Sequence, residues 1–137
     1  MGIQPKIGIT GLPRSGKSGV LQKTVDMLIE QRKKELTSKG EEYENYNIVG
    51  GMLMEPLVVD GERVGFECVN YQSGERAVIA HREIDSRMRV LGYGIDLEEL
   101  ERVGVPAIED AARNYEIIMV DEIGKFTVES DLFVRTV

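Results

Sequence analysis

Gly11, Gly16, Lys17 and Ser18 stand in the order GxxxxGKS, with Leu12, Pro13, Arg14 and Ser15 between the two glycines. Each fixed letter answers a need of phosphate binding. Glycines let the backbone wrap closely around an anion, and its amides together with a following helix start point at the phosphate oxygens. The lysine neutralises charge, and the serine hydroxyl is a hard oxygen donor suited to Mg²⁺. A second constellation lies far along the chain, where Ile117, Ile118, Met119 and Val120 run directly into Asp121 and Glu122. Four apolar residues ending in two carboxylates fit a buried parallel strand with acids at its carboxyl end. There Asp121 would hold Mg²⁺, directly or through water, and Glu122 would orient or deprotonate an attacking water. Alone, such a run is a weak signal, equally compatible with a plain strand end. Together the two motifs assign Gly11, Leu12, Pro13, Arg14, Ser15, Gly16, Lys17, Ser18 and Gly19 to a nucleotide's phosphates, Lys17 and Glu122 to catalysis, and Ser18 and Asp121 to the metal.

These residues must be presented by regular elements. Ile7 to Thr10, just before the loop, reads as a strand. Val20, Leu21, Val25, Leu28 and Ile29 recur at three- and four-residue spacing, predicting a helix from Lys17 to about Leu36 with its apolar stripe on a sheet. The polar stretch from Thr37 to Asn47 reads as a helix end and exposed loop. Ile48 to Glu55, Leu57 to Val59, Val64 to Val69 and Ala77 to Ala80 are strand-like and are punctuated by Asp60-Gly61 and Ser73-Gly74. Short turns force antiparallel pairing, so residues 48–80 are expected to form an antiparallel hairpin or meander inserted among parallel α/β units. Asp96 with Glu99 predicts the cap of a short helix over Leu97 to Arg102, and Pro106 the start of another to about Asn114. The expected fold is therefore α/β: a parallel sheet flanked by helices, of the phosphate-loop type, in a single domain over residues 1–137.

Composition narrows the field of partners. A chain of 137 residues that is 42% hydrophobic has room for one core. A formal net charge of −7 argues against a general nucleic-acid or acidic-membrane surface, which needs clustered Lys and Arg. The single cysteine, Cys68, cannot make a disulfide framework or a thiolate zinc site and is expected to be a buried, inert thiol. His81 is the only histidine and reads as a surface residue, so histidine-based triads and multi-histidine metal sites lack material. No leader-like segment opens the chain, and no run approaches the roughly 18 apolar residues needed to span a bilayer. The expectation is a cytoplasmic protein, monomeric or weakly self-associating, acting on nucleoside triphosphates without nucleic acid or membrane. Arg82, Arg87 and Arg89 lie in a poorly periodic stretch and read either as a phosphate clamp or as solvated loop arginines.

The phosphate loop, Gly61-Glu62-Arg63-Val64-Gly65-Phe66 with Ser73-Gly74 after it, Tyr93 with Asp96 and Leu97, and Asp121-Glu122-Ile123-Gly124-Lys125 with Ser130 and Phe133 together resemble the thermophile-type nucleoside-triphosphatase family. The resemblance spans nearly the whole chain. It implies Mg²⁺-dependent hydrolysis of ATP, GTP and other nucleoside triphosphates to the diphosphate, with broad base tolerance. Three positions depart from the family pattern: Arg14 stands where glycine is common, Gly19 where a second hydroxyl is common, and Thr127 where a glutamate is usual. The family also continues past the position of Val137 with a strand and a helix. A sheet lacking that strand would expose an edge, which predicts marginal stability or pairing with another chain.

Three classes of activity use such a loop. A hydrolase needs the loop, the metal and a water-orienting Glu122. A phosphotransferase adds an acceptor pocket, for which the antiparallel block and the segment Arg82 to Arg89 are the candidates. A non-hydrolysing adaptor keeps the loop and has no use for Glu122. The Asp-Glu pair favours the hydrolase. Base preference is not encoded in any Asn-Lys-x-Asp guanine motif.

Overall fold

A computed structural model describes residues 5–12 and 15–137, so Pro13 and Arg14 of the phosphate loop lie outside the described residues. The chain falls into two compact units, Met1–Tyr43 and Glu44–Val137.

The first unit is dominated by helix α1, Lys17–Ser38, two residues longer than the spacing predicts. Val25 and Leu36 are its buried residues, whereas Val20, Met27 and Leu28 are exposed, so the expected apolar stripe is only partly covered. Ile7 to Thr10 is not a strand in this structure, and Ile7 is 89% exposed. The reason is physical: an apolar run creates a strand only where a neighbour supplies ladder hydrogen bonds, and the sheet's six strands do not include these residues.

The second unit carries the sheet, built from β1 (Val49–Val59), β2 (Glu62–Asn70), β3 (Arg76–His81), β4 (Arg89–Val90), β5 (Tyr93–Ile95) and β6 (Ile117–Asp121). Their order is β4-β5-β3-β2-β1-β6. The fold is α/β as expected, but the sheet is mixed: β1 and β6 run parallel and every other pair is antiparallel. The expected meander supplies β1, β2 and β3, and β4 with β5 adds a second antiparallel hairpin, which accounts for that balance. The hairpin β1–β2 turns at Asp60 and Gly61, both at positive φ (50° and 78°), the two-residue geometry that matches strand twist. Pro56 does not split β1 into the two expected strands. Beyond Leu53 that strand has β2 as its only partner in the sheet, and an edge tolerates a missing N–H.

Helix α2, Leu97–Asn114, is continuous through Pro106, where two helices were predicted. Its cap is as expected: Asp96 Oδ1 accepts from the Glu99 amide at 3.1 Å. Pro106 falls on the exposed face, while Leu100, Val103, Gly104, Ala107, Ile108 and Ala111 form one buried stripe. That shared apolar face joins the two halves across the proline. The stripe packs on β1, β2, β3, β6 and the short helix α3, Asp131–Thr136. Met52, Cys68, Ile79, Leu100, Val103 and the fully buried Phe133 form the core. Truncating Phe133 to alanine there should cost about 3–5 kcal/mol. Burial also pushes the Cys68 thiol up to about 12, in keeping with an inert cysteine.

Candidate nucleotide site

In the first unit the described part of the loop has a definite geometry. Gly16 sits at φ 89°, ψ 19°, a left-handed conformation that favours glycine, immediately ahead of the helix. Lys17 Nζ donates to the carbonyl oxygens of Gly11 at 2.8 Å and Leu12 at 3.1 Å, so the ammonium lies over the loop backbone. The Ser15 amide donates to the Leu12 carbonyl at 3.2 Å, closing the turn among described residues. Helix α1 begins with no side-chain cap and no acid in its first turn. Among the described residues the first helical amide to find a carbonyl is that of Val20, on Gly16, so Lys17, Ser18 and Gly19 present amides that the helix itself leaves unpaired. A positive ammonium, open amides and the positive end of a helix dipole together make an anion seat. Of the nine predicted phosphate residues, this geometry brings together Gly11, Leu12, Ser15, Gly16 and Lys17 through hydrogen bonds or the turn itself. Ser18 and Gly19 extend it along the first turn.

In the second unit β6 runs parallel to β1, with Asp121 opposite Leu53, and ends at Asp121 as the sequence predicts. Its burial is lower than expected for a fully covered parallel strand. Met119 is buried, but Ile118 is 47% exposed, because β6 is the last strand of the described sheet and has a single neighbour. Gly51, at φ 138°, is the contact point of that pair: a Cβ there would overlap the Met119 carbonyl oxygen. Asp121 is half-buried and Glu122 exposed, and neither carboxylate makes a hydrogen bond or ion pair among the described residues.

The loop after β6 is held from its far end, by residues that sequence reasoning credited with no function. Phe126 is buried against Phe66 (5.1 Å between ring centroids) and Tyr93 (6.0 Å). Thr127 is fully buried, and its Oγ1 donates to the Glu122 carbonyl at 3.0 Å and accepts from the Gly124 amide at 2.9 Å. Ser130 caps α3 by accepting from the Phe133 amide at 3.1 Å, and its hydroxyl donates to Glu101 at 2.7 Å. Hydroxyl residues flanking a glycine turn are a faint signal of such a tether in sequence.

The three loop arginines stand in different settings: Arg87 is exposed and makes no hydrogen bond or ion pair among the described residues. Arg82 pairs with Glu62 at 3.3 Å, and Arg89 donates to the carbonyls of Gly92 (2.8 Å), Ile84 (3.1 Å) and Arg82 (3.4 Å), closing its own loop. His81 is half-buried at the end of β3, and its Nδ1 accepts from the Glu83 amide at 3.1 Å.

Ser18 in the first unit offers a hydroxyl and Asp121 in the second a carboxylate, each an oxygen donor of the kind a hard divalent cation takes, and neither side chain is engaged among the described residues. No group of three His, Cys, Asp or Glu able to hold a metal exists among the described residues. No helix among the described residues is long and apolar enough to cross a membrane.

A lysine folded over its own glycine loop ahead of an uncapped helix, in an α/β chain, defines the phosphate-loop class of nucleotide-binding proteins. Within that class the match is more particular: the NTPase family model covers residues 6–137, and the chain belongs to that family. It is 32% identical over 132 residues to the nucleoside-triphosphatase THEP1 of Methanocaldococcus jannaschii, covering 96% of this chain and 69% of that one. It is 35% identical to the THEP1 of Methanothermobacter thermautotrophicus, covering 96% and 67%. The crystal structure of THEP1 from Aquifex aeolicus superposes with a TM-score of 0.67 at 22% identity, over 90% of this chain and 62% of that one. The solution structure of a human cancer-related nucleoside triphosphatase gives 0.54 at 26% identity, over 82% and 60%. The chain thus spans about two thirds of the length of these relatives.

Proposed function

We propose that this protein is a Mg²⁺-dependent nucleoside-triphosphate phosphohydrolase, converting NTP and water to NDP and phosphate in the cytoplasm with broad tolerance of the base. The observation that carries this is Lys17 lying on the Gly11 and Leu12 carbonyls ahead of an uncapped helix start. Phosphate oxygens would replace two neutral carbonyls as acceptors of the ammonium, and charge-assisted bonds are about twice as strong as neutral ones. The amides of Lys17, Ser18 and Gly19 would take further oxygens. Ser18 and Asp121 are the residues that would hold Mg²⁺, which would supply positive charge to a bound triphosphate. Glu122 would orient a water and accept its proton. The water oxygen then bonds to the γ-phosphorus as the bond from that phosphorus to the β–γ bridging oxygen breaks, and the diphosphate leaves with the bridging oxygen.

No observation favours phosphoryl transfer to a second substrate. Arg82 and Arg89, its best candidates for an acceptor pocket, are committed to Glu62 and to loop carbonyls. The test is phosphate release from a panel of nucleoside triphosphates, with and without Mg²⁺ and with candidate acceptor nucleosides added. Free phosphate from several bases, dependent on Mg²⁺ and independent of acceptor, is expected; product formed only with acceptor would refute hydrolysis.

A further inference from the structure

We infer that Thr127 is a positioning residue for Glu122, tying the reactive turn to the folded core through one buried hydroxyl. The inference rests on the role proposed for Glu122. That residue is exposed and its carboxylate has no hydrogen-bond partner among the described residues, so none of their bonds to the side chain itself fixes its direction. The carboxylate curls over the next turn, and a Cβ built on Gly124 would stand 2.9 Å from its Oε1. What holds the backbone of this turn is Thr127.

The hydroxyl has one proton and two lone pairs, and this geometry uses them on both sides of the turn. The proton goes to the Glu122 carbonyl at 3.0 Å, while a lone pair receives the Gly124 amide at 2.9 Å. The Gly124 carbonyl, at 3.3 Å from the same oxygen, is the longer alternative acceptor for that proton and also takes the Val128 amide at 3.0 Å. Thr127 can act as an anchor because it does not move with the turn. It is fully buried, its neighbour Phe126 packs in a three-ring cluster with Phe66 and Tyr93, and Ser130 fixes the start of α3. One bond pair therefore carries the order of the core back to Glu122.

The test uses the full chain and three variants. Thr127→Val keeps the shape and removes both bonds; Thr127→Ser keeps the bonds and removes a methyl; Glu122→Gln removes the proposed base. Thr127→Val should lower kcat about tenfold with KM and nucleotide affinity within about twofold, since small misplacements of a reacting group act on the chemical step. Amide exchange over residues 122–126 should quicken in the same variant. Thr127→Ser should restore both readouts to within about threefold. On a Glu122→Gln background Thr127→Val should cost nothing further in kcat, because residues acting as one unit are not additive. An undiminished tenfold loss on that background, or a serine variant as poor as valine, overturns the inference. Wild-type turnover in Glu122→Gln alone overturns the role of Glu122; with it, faster exchange in Thr127→Val and unchanged kcat would leave the tether standing as structure only.

Discussion

The phosphate loop and the loop after β6 solve one problem, holding reactive groups at the end of an element, by opposite means. Among the described residues of the phosphate loop the geometry comes from a left-handed Gly16, two bonds from the Lys17 side chain to loop carbonyls, and a helix start without a side-chain cap. Around residues 121–130 it comes from buried side chains, Phe126, Thr127 and Ser130. The first arrangement leaves its donors available to an anion and therefore has little internal stability to lose. The second stores order in the core and exports it to the half-buried Asp121 and the exposed Glu122. Mutations in the first should strike activity with little effect on folding, and mutations behind the second should strike both.

The steepest way to sharpen this contrast uses two glycines. Gly51 exists for a close approach, and Gly51→Ala would force a Cβ into the Met119 carbonyl between β1 and β6; a loss of about 4 kcal/mol or more is expected in urea unfolding. Gly16 exists for its φ of 89°, and a Cβ there meets nothing within 4 Å among the described residues, so Gly16→Ala should cost only about 1 kcal/mol while still weakening nucleotide binding. Equal stability losses in the two variants would erase the distinction.

Next in size is Lys17→Ala. It should reduce phosphate release by about 10²–10³-fold, the usual effect of removing one donor to developing charge, with Tm nearly unchanged. A large drop in Tm would mean that the two carbonyl bonds of Lys17 hold the loop together. Ser130→Ala, behind the second loop, should do the reverse: about 1–2 kcal/mol of stability is lost with the α3 cap and the Glu101 bond, at unaltered nucleotide affinity.

The smallest effect concerns pH. The Asp110 carboxyl is held below the ordinary carboxylate range, first by the Gln72 amide, at 2.9 Å, and then by Asn114, at 2.7 Å. A lowered folded pKa contributes stability that is complete above the unfolded value and disappears as pH falls through the folded one. Asp110→Asn should therefore flatten the acid limb of a Tm profile recorded from about pH 7 to pH 2, and leave the neutral end little changed.

Much of this was legible in sequence because it depends on local pattern. The loop letters, the apolar run into Asp121-Glu122, the Asp60-Gly61 hairpin and the Asp96 cap each encode their own geometry. What escaped depends on partners distant in sequence. Ile7 to Thr10 has the composition of a strand but not a strand's pairing. Pro106 reads as a boundary until the apolar stripe on both sides of it is seen to pack on one surface. The β4–β5 hairpin turns at Leu91 and Gly92, and a leucine at φ 54° is no turn signal. Arg82 and Arg89 look free until Glu62 and three carbonyls are found beside them. Thr127 is an ordinary letter in sequence, and only its burial and two hydrogen bonds give it a task.

The most direct measurement is phosphate release and nucleotide affinity in Glu122→Gln, taken side by side in Mg²⁺. Loss of a general base predicts release slower by about 10²–10⁴-fold, with nucleotide bound as tightly as in the unmodified chain. Release at the unmodified rate would contradict the role assigned to Glu122 and, with it, the hydrolytic site described above.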